Sequence, residues 1–160
     1  MIPLGTQAPS GGATEAPRPY RFRGDIAPAD VAFDAWGATL EELFVAAADA
    51  TTNTMAENPE AIEDRQRRPI RLEEQSSDLL LYRLLEELIY LKDTEGLLLR
   101  VPAVRIHRTD GAFVLEAEAR GEPLDPLRHH LQADVKAVTL HRLRVEQTAR
   151  GWEASVVLDI

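Results

Sequence analysis

In the run D-P-L-R-H-H-L-Q-A-D-V-K-A-V-T-L-H, from Asp125 to His141, lie three of the chain's four histidines, His129, His130 and His141, mixed with Asp125, Asp134 and Lys136. The sequence then closes on V-V-L-D-I, which sets Asp159 beside the α-carboxylate of Ile160. There is no cysteine, so thiolate nucleophiles and thiolate metal sites are excluded. A metal here must be held by oxygen, alone or with histidine, which favours a hard divalent cation such as calcium, magnesium or manganese. On the last strand Trp152, Ala154, Val156, Leu158 and Ile160 share one face. Asp159 falls on the other, because side chains alternate with period two. By the same parity, Val31, Phe33 and Ala35 turn inward and Asp30 and Asp34 outward. Carboxylates gathered on one strand-end face repel one another unless a cation joins them. Apart, they are ordinary solvated charges, and parity alone leaves both readings open.

The other candidates have plain alternatives as well. His141 shares parity with Leu143 and Val145, which fits a half-buried, hydrogen-bonded core histidine. His107 alternates outward. His129 and His130 are sequence neighbours and can face one point only from a loop. Lys136 stands near the acids and fits a salt bridge as well as catalysis. No glycine-rich loop matches a phosphate-binding fingerprint, and Ser76, Ser77 and Ser155 are not in a nucleophile elbow. A stand-alone hydrolase therefore has little support.

The elements that must position these residues follow from periodicity. Residues 1–17 are rich in Pro, Gly, Ala and Ser and predict a disordered tail before one domain over 18–160. Tyr20 and Phe22 alternate with arginines as a first strand, and Val31 to Trp36 is a second. Thr39 and Glu42 make a capping box for a helix running to about Met55. A charged loop from Asn58 to Arg68 precedes a short strand at Ile70 and Leu72. Ser77 is placed to cap a longer helix with the stripe Leu81, Leu84, Leu85, Leu88 and Leu91, closed by Gly96. Strands around Val104, Phe113, Val138 and Trp152 follow, with turns at Asp110-Gly111 and Arg150-Gly151. The pattern predicts an α+β two-layer sandwich of mostly antiparallel sheet with two main helices.

A net charge of −9 argues against tight autonomous binding to nucleic acid, while leaving room for work on RNA through a basic partner. No apolar run reaches membrane-spanning length. The first residues lack the basic and apolar regions of a signal peptide, so the cytoplasm is the expected compartment.

Five segments in order resemble the archease family: A-D-V-A-F-D-A-W-G-A-T-L-E-E-L-F (29–44), L-L-E-E-L-I-Y-L-K-D-T-E-G-L-L (84–98), A-R-G-E-P-L-D-P (119–126), D-V-K-A-V-T-L-H (134–141) and the terminal W-E-A-S-V-V-L-D-I. They span nearly everything but the tail. The resemblance implies an accessory protein, not an enzyme. It would activate the GTP-dependent RNA ligase that joins 3′-phosphate or 2′,3′-cyclic phosphate ends to 5′-hydroxyl ends, in tRNA splicing or RNA repair. Its role would be to promote ligase guanylylation and multiple turnover. The family's metal site, typically for calcium, maps onto Asp30, Asp159 and the carboxylate of Ile160. His129, Lys136 and His141 match further family positions. Where the family has His-Thr-Ala-Asp, this chain has Ala27-Pro28-Ala29-Asp30, and the approach from Phe22 is longer. Asp25 lies nearest the lost histidine and could replace it as a ligand or support. The family also carries a rival expectation: a chaperone or interaction module for another RNA- or DNA-modifying enzyme, such as a methyltransferase.

Overall fold

The computed structural model describes residues 17–24 and 30–160. The expected tail, except Pro17, and residues 25–29, with Asp25 among them, lie outside the described residues. The described elements are β1 (Tyr20–Arg23), β2 (Asp30–Gly37), α1 (Leu40–Met55), β3 (Gln66–Glu74), α2 (Ser77–Glu95), β4 (Leu97–Arg100), β5 (Val104–Thr109), β6 (Ala112–Pro123), α3 (Pro126–His129), β7 (Ala137–Thr148) and β8 (Gly151–Asp159). The α+β class and the antiparallel pairing are those expected.

The strands divide into two sheets. One has the order β1-β2-β8-β7. In the other, β6 pairs with β3 along one side and with β4 and β5 along the other. Both main helices touch both sheets: α1 packs on β2 and β8 and also on β4 and β5, and α2 on β7 and also on β3 and β4. Burial along α1 gives the reason. From Leu43 to Met55 only Val45 and Asp49 are even partly exposed, and a helix covered on every side belongs inside. Ala46, Ala47, Ala48 and Ala50 keep it thin enough for sheets to approach closely. The buried side chains of both helices and both sheets form one contiguous core.

The ends of α1 and α2 follow the sequence closely. The Glu42 amide donates to Thr39 Oγ1 at 3.1 Å, and the Glu42 carboxylate reaches back to accept from the Ala38 amide at 3.0 Å, one residue before the cap, a variant of the expected capping box. On α2 the cap is Ser76, not Ser77: its Oγ accepts from the Leu79 amide at 3.2 Å, and Ser77 is the first helical residue. Gly96 ends α2 in the left-handed conformation with φ 65°.

Two strands depart from expectation. Strand β3 begins at Gln66, inside what reads as a charged loop, and carries Pro69. It pairs only with β6, so it is an edge strand, where a missing amide and a row of arginines are tolerated. Strand β4 is a continuous buried run, Leu97 to Leu99, with no alternation to reveal it. No helix among the described residues is long and apolar enough to cross a membrane.

Candidate metal centre

Strands β2 and β8 run antiparallel so that Asp30 stands opposite Asp159, and on the other side of β8 Ala137 of β7 stands opposite the same residue. The sequence argument put both acids on the outward face; the register makes them neighbours. Opposed residues in such a ladder have Cβ atoms about 4.5–5.5 Å apart, and like charges there are unfavourable. Both are half-buried, and among the described residues neither carboxylate has an ion-pair partner. Ile160 follows at once, with its side chain against the core, which fixes the backbone there. Two opposed carboxylates offer only anionic oxygen, the donor type that hard divalent cations take. Among the described residues no three His, Asp or Glu side chains converge on a point.

Asp34 shares the face but belongs to a different arrangement. It accepts from Ser155 Oγ at 2.9 Å and pairs with Arg23 at 3.4 Å and Arg21 at 3.9 Å. Its charge is already met.

Lys136 lies just before β7 with its side chain exposed, and its amide donates to the Asp159 carbonyl at 2.8 Å. The segment leading to it is stitched to the body of the protein. Gln132 and Ala133 amides donate to Met55 and Thr54 carbonyls at the end of α1. The buried Lys92 then reaches Asp134 Oδ1 at 2.5 Å and the Val135 carbonyl at 2.8 Å. Burial alone would lower the Lys92 pKa, but the bonds and charges of Asp134 and Asp93 outweigh it and raise the value. Sequence reasoning missed Lys92, although the signal was present: it lies four residues after Leu88 and next to Leu91, on the buried side of the leucine stripe.

His129 is not an open ligand. Its Nδ1 accepts from the Asp125 amide at 2.8 Å, and its Nε2 lies 3.1 Å from Glu122 Oε2. Glu122, 2% exposed, also takes the Glu63 amide at 2.7 Å and the guanidinium of Arg128. Burial would raise the Glu122 carboxyl, yet the bonds from Glu63, His129 and Arg128 prevail and hold it down at about 2. The histidine thus anchors the short α3 to the end of β6. His130 adopts a left-handed conformation, and its carbonyl accepts from Glu57.

His141 is exposed, not half-buried in the core. Between Thr139 and Arg144 the β7–β8 register slips; Leu140, His141 and Arg142 bulge outward, with Arg142 at φ 62°. Parity counted from Val145 does not survive a bulge.

The sequence profile of the Archease protein family matches residues 20–160, the whole described body of the chain. The chain belongs to the archease family. The archease of Thermococcus kodakarensis is 38% identical over 133 residues, covering 82% of this chain and 93% of its own length. That of Pyrococcus furiosus is 39% identical with the same coverage. The solution structure of Methanobacterium thermoautotrophicum protein 1598 superposes with a TM-score of 0.77 at 31% identity, over 89% of this chain and 99% of that one. A Thermotoga maritima archease, described as a possible chaperone, shares the fold alone, with a TM-score of 0.56 at 19% identity over 88% of this chain and 98% of that one.

Proposed function

We propose that this archease is a metal-binding accessory protein that activates a GTP-dependent RNA ligase, promoting its guanylylation and its repeated turnover in tRNA splicing or RNA repair. The observation that carries the reading is the direct opposition of Asp30 and Asp159, with the Ile160 carboxylate proposed as the adjacent ligand. Without a cation this is a destabilising arrangement; with one it supplies the anionic oxygens that calcium prefers and manganese or magnesium accepts. A cation held there would neutralise charge on phosphate groups. The protein's own contribution is positional. Ladder pairing fixes both aspartates, core packing fixes Ile160, and the Lys92 staple fixes the segment that delivers Lys136 to the Asp159 carbonyl. Asp25 is proposed as a further ligand or support in place of the family's histidine. The partner is the ligase protein, with RNA met only through it, in the cytoplasm.

The test compares two tagged forms of the full chain. A C-terminal tag turns the Ile160 carboxylate into a neutral amide, and an N-terminal tag leaves it intact. We expect calcium titration and multiple-turnover ligation to show loss of affinity and of stimulation only with the C-terminal tag. Equal behaviour of the two forms would remove Ile160 from the site. Recovery from native lysate of a methyltransferase without a ligase would favour the chaperone reading instead.

A further inference from the structure

On the outer face of the first sheet, four strands place side chains in rows. Arg21, Asp34, Ser155 and Arg144 stand in register across β1, β2, β8 and β7, and the next row carries Trp36, Glu153 and Glu146. A cleft of about 400 Å³ opens here, lined by Arg21, Asp34, Trp36, Arg144, Arg150 and Glu153 among others. Three arginines and two carboxylates line it, and with Arg23 and Glu146 on the same face four cations meet three anions, a local excess of positive charge on a chain whose net charge is −9. Trp36 is 43% exposed and lines the cleft. The cleft floor is rigid: a Cβ on Gly151, at φ 138°, would stand 2.4 Å from the Gly37 carbonyl oxygen, so this backbone contact requires glycine.

The charges are not used up internally. Among the described residues the Arg150 guanidinium has no ion-pair partner. Arg21 is mostly exposed and reaches Asp34 only at 3.9 Å. Arg144 is held by Ser155 at 3.0 Å and Glu146 at 2.9 Å, which orients it along the cleft. Asp34 is neutralised chiefly by Arg23 and accepts a hydrogen bond from Ser155. Glu153 stands directly opposite Trp36 across the ladder.

We propose that this cleft binds a nucleoside phosphate, with the base stacked on Trp36 and the phosphate between Arg21 and Arg150, backed by Arg144. A flat exposed indole stacks on any base, guanidinium groups match phosphate oxygens, and the volume lies in the range of small-ligand pockets, about 300–1,000 Å³. Glu153 decides against an acidic peptide as occupant. Beside Trp36 it would repel a peptide carboxylate, whereas it can accept a hydrogen bond from the N–H edge of a base, as carboxylates do. The same chemistry is offered by a free nucleotide and by the terminal nucleotide of an RNA, the second going beyond the indirect contact with RNA proposed above. The cleft lies on the same face as Asp30 and Asp159, four residues along β2, or on the order of 13 Å. Its binding does not depend on metal or ligase.

The experiment titrates the full chain, without ligase and in EDTA, with GMP, AMP, a short ribo-oligonucleotide ending in a 3′-phosphate, and an acidic hexapeptide. Tryptophan fluorescence and amide NMR shifts are read. We expect saturable binding of nucleotide or oligonucleotide that weakens with salt, about tenfold weaker in Trp36→Leu and in Arg150→Glu, and unchanged in Arg105→Glu on the other sheet. Equal affinity for mononucleotide and oligonucleotide would identify a free-nucleotide site; tighter oligonucleotide binding would identify an RNA end. No saturation by either, equal loss in Arg105→Glu, or preference for the peptide would overturn the proposal. Because EDTA removes the cation, none of these outcomes bears on the aspartate pair.

Discussion

At the residue scale, Asp30 and Asp159 give opposite expectations with and without a cation, which separates a metal centre from a pair of solvated charges. In EDTA, Asp159→Asn relieves like-charge opposition and should stabilise the fold slightly, by about 0.2–1 kcal/mol. With calcium at a hundred times its Kd, the native chain should gain about 2.7 kcal/mol and the variant almost none. Thermal melts with and without calcium decide this; a variant that gains as much as the native chain would dismiss the pair as ligands. Glu122 makes a different prediction. Its carboxyl is held at about 2 against an ordinary 4.5, so the unfolded chain takes up the proton first as pH falls. The stability it contributes is complete above the ordinary value and is lost between about 4.5 and 2. Glu122→Gln should therefore flatten the dependence of stability on pH across that window, while costing about 1–3 kcal/mol at neutral pH by unpairing the Arg128 and His129 contacts. Urea melts at a series of pH values check both.

At the element scale, the stretch from α3 to β7 contains little regular structure yet is bound at successive points. Glu122 and His129 hold its start, the α1 carbonyls its middle, Lys92 and Asp159 its end. Lys92→Met keeps the apolar stem and removes the staple. Hydrogen exchange should accelerate over residues 132–136, and calcium affinity should fall, because the backbone at Asp159 loses its steady neighbour. Stability should drop by about 1–3 kcal/mol, the usual cost of stranding a buried partner such as the Val135 carbonyl. Unchanged exchange protection in this stretch would show that the α1 contacts alone are sufficient. The bulge in β7 illustrates what strand patterns miss. Leu140 to Leu143 oppose a single residue of β8, Val156, and nothing local in the sequence marks the slip.

At the scale of the whole molecule, a net charge of −9 bears on encounter more than on fold. If the proposed ligase presents a basic RNA-binding surface, complementary charge speeds association, and screening slows it. Stopped-flow mixing should show an association rate that falls steeply between low and physiological ionic strength, with a smaller change in the dissociation rate. A salt-independent association rate would exclude electrostatic steering. The arrangement suits such an encounter, because α1 is enclosed and the outer face of the β1-β2-β8-β7 sheet is left to carry the acid pair at one end and the arginines at the other.

Local signals in the sequence determined the capping box at Thr39 and Glu42, the leucine stripe of α2, the stop at Gly96 and the outward parity of Asp30 and Asp159. Each depends on neighbours within a turn or on a period of two, so a single segment contains the whole cause. Resemblance along the chain supplied the family. Tertiary structure alone decided that the strands form two sheets with the helices between them, that Asp30 faces Asp159, that His129 is consumed by Glu122, and that Lys92 holds the segment before β7. These are pairings between residues far apart in the chain, set by which register buries the most apolar surface. A pattern read within one segment carries no information about its partner in another.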